Sequence, residues 1–164
     1  MKVLLLHGFL GNSNLKKFML EKEGIAVIRP RLSNLSFKRA VNQAQAAYDS
    51  CQPDIVVASS RGAAVALNLL VNQTPLVFLS PAWEHFVNVY RIDSPLTIIH
   101  GKRDRLIPIR SSLALAVKSA NATVYVVDDS HRLVHAGTDK LLEVIRGFMT
   151  YPIRIAPSYY SFSR

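Results

Sequence analysis

Residues 54–70 read Asp-Ile-Val-Val-Ala-Ser-Ser-Arg-Gly-Ala-Ala-Val-Ala-Leu-Asn-Leu-Leu, and this stretch decides the fold. Ile55 to Ala58 make an apolar run of strand length. From Arg61 onward small and apolar residues return at helical spacing, at Ala63, Ala64, Ala66, Leu67 and Leu70. A buried strand thus runs directly into a helix, and the turn between them holds Ser59 and Ser60. Ala58 and Gly62 flank Ser60, each two positions from it. Small-x-Ser-x-small is the form of a nucleophile elbow, a sharp turn that lifts a serine hydroxyl above the sheet edge. Close backbone approach on either side admits only very small residues. Ser59 fails that condition, because Val57 and Arg61 would flank it. Ser60 is therefore the candidate nucleophile, with Ala58 and Gly62 as its elbow. Plain strand–helix packing also selects small residues around a serine, so the rest of the chain must choose between the two.

Outward from this unit the same alternation repeats. Further strands are expected at Val3–Leu6, Ile25–Ile28, Leu76–Leu79, Leu96–Ile99 and Thr123–Val127. Helices are expected from Asn12 or Ser13 to Lys22, ended by Gly24, and from Ser36 through Ala47. Two more run from Pro108 to Ser119 and from Thr138 to Phe148, with the helix after Ser60 reaching Leu70. Only a short segment near Trp83–Val89 has room to be helical between the fourth and fifth strands. Such a pattern predicts an α/β, three-layer sandwich with a six-stranded, mostly parallel sheet covered on both faces. Residues 1–150 form one domain in this reading. The tail 151–164, with two prolines and four aromatics, wraps over the domain or stays mobile.

Composition narrows the setting. An apolar share of 49% over 164 residues supports a full core without staples. A single cysteine, Cys51, excludes an intramolecular disulfide and a cysteine-rich metal site, and suits packing in a reducing compartment. The first apolar run breaks at His7-Gly8 with no small-residue cleavage site after it, and no stretch has the length of a membrane span. A cytoplasmic protein without membrane insertion is the expectation. Net charge +9 and pI near 10.0 suit an anionic partner, yet the basic residues are scattered and form no nucleic-acid motif. Nucleic acid is not expected as a partner.

Ligands of open parallel sheets bind beyond the carboxyl ends of the strands. After the first strand come His7, Gly8 and Phe9; after the third comes Ser60. The fifth is followed by His-Gly-Lys-Arg-Asp, ending at Asp104, and the sixth by Asp-Asp-Ser-His, ending at His131. Nucleophile, acid and base so appear in the order Ser…Asp…His at one sheet edge, the order of α/β hydrolases.

On these residues the chain resembles the α/β-hydrolase superfamily, from Leu-Leu-Leu-His-Gly-Phe-Leu-Gly through Ala-Ser-Ser-Arg-Gly and His-Gly-Lys-Arg-Asp to Asp-Asp-Ser-His-Arg-Leu. More narrowly it resembles the small, lidless, single-domain bacterial esterases of the YqiA-like group, which lack the two leading strands of the full fold. The resemblance implies a minimal fold without a cap domain and a spatial strand order of 2-1-3-4-5-6. Ala58 departs from the glycine usual at that elbow position. By the chemistry of acyl transfer, Ser60 would attack a carboxylic ester or thioester, His131 would take its proton, and Asp104 would hold the imidazole. The backbone N–H of Arg61 is a candidate oxyanion donor, and the family pattern implies that of Phe9 as the second. Neither a metal nor an organic cofactor is expected.

Competing residues each have a simpler role. Asp128 and Asp129 precede His131 on its own loop and suit Asx turns; Asp93 falls at the wrong edge. His135 competes with His131, and a His-x-x-x-His pair hints at a metal, but no third ligand is placed. His7 and His100 suit loop-orienting hydrogen bonds, and His85 has no assigned role. The short connection after the fourth strand leaves an open site for small soluble esters, with Trp83 and Phe86 as its apolar wall or as core aromatics. Arg29, Arg31, Arg61, Lys102, Arg103, Arg105 and Arg132 fall in strand-end loops. Such a rim, Arg103 and Arg105 foremost, favours an anionic substrate or leaving group as readily as it serves solvation. The rival of another class is a catalytically silent binding protein of the same fold, holding an anionic ligand or partner.

Overall fold

The computed structural model describes residues 1–9 and 13–150. Asn12, one of the alternative caps of the first helix, and the segment 151–164 lie outside the described residues. The elements in order are β1 (Lys2–Leu6), α1 (Asn14–Lys22), β2 (Ala26–Ile28), α2 (Phe37–Cys51), β3 (Ile55–Ser59) and α3 (Arg61–Ala66). They continue with β4 (Leu76–Leu79), β5 (Leu96–Gly101), α4 (Ile109–Ala116), β6 (Ala122–Val127) and α5 (Ala136–Thr150). The six strands form one sheet in the order β2-β1-β3-β4-β5-β6, and every pairing is parallel.

Side chains alternate across the strands and so build two cores. Leu4, Leu6, Val56, Ala58, Phe78 and Ile98 face a layer made by α2, α3 and α4. Val3, Leu5, Ile55, Val57, Val77, Leu79 and Ile99 face the other layer, where Leu20 of α1 packs with Leu141, Leu142 and Ile145 of α5. Each such aliphatic side chain, buried completely, contributes about 1.5–3 kcal/mol. Central strands buried on both faces carry no polar alternation, and that is why they read as continuous apolar runs. In α2 the fourfold spacing of Ala40, Ala44 and Tyr48 gives the buried stripe, and Ser36 Oγ accepts the Arg39 N–H at 3.2 Å as its cap. Ser13 sits at the start of α1 without a side-chain cap; its hydroxyl instead accepts from Arg29 at 3.2 Å.

Three expectations from the sequence require correction. The helix after Ser60 ends at Ala66, not Leu70. There the Asn68 amide donates back to the Ala64 carbonyl at 2.8 Å, the last turn tightens, and Leu69 drops into the core while Leu70 turns outward. His100 and Gly101 belong to β5 itself, paired with Val126 and Val127, so the loop bearing Asp104 begins two residues later than Ile99 suggested. Finally, no helix forms between β4 and β5; Trp83 closes a single turn by accepting the N–H groups of Phe86 and Val87. Among the described residues no cap domain stands over the carboxyl edge of the sheet. Among the described residues no helix is long and apolar enough to cross a membrane.

Candidate active site

β3 ends at Ser59 and α3 begins at Arg61, leaving Ser60 alone to turn the chain through φ 52° and ψ −124°. A side chain in that left-handed region costs about 1–3 kcal/mol and persists only where surroundings hold it. They do so here. The Ser60 N–H donates to Leu79 at 2.9 Å, and its carbonyl accepts from Ala63 at 3.0 Å and Ala82 at 3.1 Å. The small neighbours have distinct reasons. A Cβ on Gly62 would lie 2.5 Å from the Leu6 carbonyl oxygen, so α3 approaches β1 backbone to backbone. Ala58 is fully buried between Leu6 and Phe78 of the adjoining strands. A Cβ on Gly8 would come 3.0 Å from Ser60 Cβ and 3.5 Å from its Oγ, so the end of β1 runs directly alongside the hydroxyl.

His131 and Asp104 reach this hydroxyl from the loops after β6 and β5. His131 Nε2 lies 3.0 Å from Ser60 Oγ, and its Nδ1 lies 2.8 Å from Asp104 Oδ2. A carboxylate only accepts, so Nδ1 carries the imidazole proton and Nε2 is free to take that of Ser60. The Asp104 side chain is wholly buried. Burial pushes its carboxyl up, but the Ile107 N–H, His131 and the Leu106 N–H oppose this and hold it below the ordinary carboxylate range. Asp104 Oδ1 accepts both backbone groups at 2.9 Å, leaving Oδ2 to the imidazole. His100, also buried, donates Nε2–H to the Ile107 carbonyl at 3.1 Å and accepts the Ser112 hydroxyl at Nδ1. Burial holds its pKa below the usual histidine value, so it stays neutral and fixes the Asp104 loop. His7 fixes the turn after β1, donating to the Gly8 carbonyl at 2.8 Å and accepting the Leu32 N–H.

The sequence reading missed what steadies His131. Asp129 does not make the expected Asx turn: its Oδ1 accepts the N–H of the very next residue, Ser130, at 2.7 Å, and its other oxygen accepts the N–H groups of His135 at 2.8 Å and Gly137 at 3.1 Å. One buried carboxylate therefore closes the whole loop onto the start of α5. Lys16 of α1, also buried, donates to the Arg132 carbonyl at 2.8 Å. Burial lowers the Lys16 pKa against the opposing field of Asp129. Buried Leu133, at φ 50°, pins the next residue, and the Thr138 hydroxyl donates to its carbonyl. A charged residue with no apolar pattern around it gives no sequence signal for such a role. Burial raises the Asp129 carboxyl, its three backbone donors lower it further, and the net direction is down. A depressed folded pKa means stability present above the ordinary aspartate value of about 3.9, and lost as pH falls through the folded value. Asp129→Asn is expected to cost about 1.5–3 kcal/mol at neutral pH. Urea titrations of both proteins should converge as pH falls below the ordinary aspartate range.

Other sequence candidates fall in varied places. The backbone N–H groups of Phe9 and Arg61 have no acceptor among the described residues. Phe86 is 41% exposed and stacks on Phe37 with ring centroids 5.2 Å apart. Trp83 is a core aromatic, packed among α2, α3 and α4 with its indole N–H on the Ser111 carbonyl at 3.1 Å. Arg61 is not a rim cation: it is 5% exposed, beneath the rings of Phe37 and Phe86. Arg103 is exposed and pairs with Asp128 at 3.1 Å, while Arg105 is exposed. Asp93 pairs with Arg91 on the surface before β5, and His135 is exposed, away from the Ser60 row. Cys51 closes α2, half-buried, its thiol near the Tyr48 carbonyl. Among the described residues no group of three His, Cys, Asp or Glu side chains is placed to hold a metal ion.

No family profile and no curated protein matches the chain. Solved structures do. Alpha/beta hydrolase domain-containing protein 10 from mouse is similar at TM-score 0.78 and 17% identity, over 91% of this chain and 89% of that one. Est1E from Butyrivibrio proteoclasticus gives 0.73 and 17%, over 91% and 86%. An alpha-beta serine hydrolase homologue from Coxiella burnetii gives 0.69 and 18%, over 89% and 83%. The likeness spans nearly the whole of each chain at low identity, and with the strand order and helical layers above it gives this chain the α/β-hydrolase fold.

Proposed function

We propose that the chain is a serine hydrolase that cleaves a carboxylic ester or thioester through an acyl-enzyme on Ser60. One observation carries the reading: Asp104, His131 and Ser60 lie in an unbroken hydrogen-bonded row, 2.8 and 3.0 Å, at a backbone turn strained to raise the hydroxyl. Its similarity in fold to proteins named as hydrolases supports the reaction class. The finer resemblance to YqiA-like esterases belongs to the same proposal, as does a cytoplasmic setting, which rests on the lone cysteine.

In this mechanism Ser60 Oγ bonds to the acyl carbon as its proton passes to His131 Nε2. The carbonyl oxygen becomes an oxyanion held by the N–H groups of Phe9 and Arg61. Asp104 stays ionised and stabilises the imidazolium. His131 returns the proton to the leaving oxygen or sulfur, and the bond to the leaving group breaks. Water then gives a proton to His131 while its oxygen attacks the acyl carbon, and return of the proton to Oγ frees the acid and the enzyme. No step calls for a metal or an organic cofactor. Phe9 after β1 and Phe86 after β4 are both exposed, which suits an open site for small substrates.

A fluorophosphonate probe tests the reading. Wild-type protein should be labelled covalently at one site, and Ser60→Ala should not. Folded wild type that resists the probe, judged beside a known serine hydrolase, would point instead to a fold used only for binding.

A further inference from the structure

Arg61 follows the candidate nucleophile and begins α3, yet its side chain is buried. Its Nη2 donates to the Ser33 carbonyl at 3.1 Å, and the guanidinium lies 5.5 Å from the Phe37 ring centroid and 6.0 Å from that of Phe86. Its Nη1 is buried with no hydrogen-bond partner. Among the described residues no carboxylate pairs with this cation. Burial lowers its pKa, as an uncompensated charge requires. A buried cation without a counter-ion is costly, and such orphaned donors are rare in folded proteins. Next to Ser33, the Asn34 amide is orphaned too, its Oδ1 buried and unbonded. Rotating that amide breaks no hydrogen bond and offers an N–H in the same place.

The direction of Arg61 says which part of a substrate it meets. His131 must protonate the leaving group, so the leaving group lies toward the His131 loop, which feeds α5 on one face of the sheet. Arg61 heads α3 on the opposite face, boxed by Phe37 of α2 and Phe86 after β4. The acyl group must extend that way. Phe86 is the outer wall of this box, 41% exposed on a single turn.

We propose that Arg61 Nη1 receives a carboxylate at the far end of the acyl chain, so that the favoured substrates are monoesters or monothioesters of short dicarboxylic acids. This rests on Ser60 being the nucleophile. The apolar stem packs on Phe37 and Phe86, and the terminal carboxylate supplies the counter-ion that the fold leaves out. Hydrolysis consumes one water and releases the free dicarboxylate and the alcohol or thiol.

The test compares kcat/KM for the mono-para-nitrophenyl ester of glutarate with that for para-nitrophenyl pentanoate, a neutral ester of equal chain length. Wild type should prefer the glutarate ester, and Arg61→Met should lower the ratio of the two constants by about 10- to 100-fold. Arg61→Lys, which keeps the charge but not the fork, should fall between and serves if the methionine variant fails to fold. A second readout needs no turnover: glutarate should raise the Tm of wild type more than pentanoate does at equal ionic strength, and Arg61→Lys should reduce that difference. No preference and no difference in Tm overturn the proposal, as does a ratio that falls in Arg103→Gln/Arg105→Gln and holds in the Arg61 variants. Absence of probe labelling with a glutarate-specific Tm shift retained would reject the hydrolase reading and leave the carboxylate site standing.

Discussion

Ser60→Ala and His131→Ala should each lower kcat toward a short para-nitrophenyl ester by about a millionfold, and the double variant should be scarcely worse than either. Oγ and Nε2 act as one unit across their 3.0 Å contact: without the base the hydroxyl is a poor nucleophile, and without the hydroxyl the base has nothing to activate. Asp104→Asn should be milder, at about ten-thousandfold, because the oxyanion donors and the serine remain. Its harm comes through the tautomer. An amide facing Nδ1 no longer requires the proton there, and in the other tautomer Nε2 cannot accept from Ser60. Circular dichroism on each variant would separate lost chemistry from lost fold. Ser60→Ala with its rate intact would place the reaction elsewhere.

Gly62→Ala is expected to destabilise the chain by about 3 kcal/mol, large for one methyl group. The added Cβ would meet the Leu6 carbonyl oxygen at 2.5 Å and that of His7 at 2.9 Å. Both belong to backbone at the end of β1, a strand paired on either side, so neither has a flexible end to move aside. Gly147 gives the opposite sign. A Cβ there meets nothing within 4 Å, in the interior of α5, and Gly147→Ala should stabilise by about 0.5–1 kcal/mol. Urea unfolding of the pair checks both signs in one experiment. A Gly62→Ala protein as stable as wild type would remove close strand–helix approach as the reason for the small residue.

The four central strands were legible because they are short apolar runs buried on both faces, separated by caps and turn residues. Leu76–Leu79 needed no adjustment at either end. Ser60, Asp104 and His131 were named from their places after β3, β5 and β6, and the structure brings those side chains into contact. Tertiary contacts decided what the pattern could not. Leu67 and Leu70 continue a helical spacing, but Asn68 turns back on Ala64 and the Leu70 N–H finds Gln45 instead of a helix carbonyl. Arg61 reads as a surface cation in any linear view; two phenyl rings from distant segments bury it. Asp129 and Lys16 act through backbone partners up to 116 residues away, which no local pattern encodes.

Two of the three hydrogen bonds that Asp104 accepts come from the main chain at positions 106 and 107. The environment of that carboxylate is thus written in the path of the polypeptide, and nearly any side chain at those two sites leaves it untouched. Only an imino acid would erase a donor. Evolution can therefore rework the outer lip of the cleft freely while the acid beneath it keeps the same charge.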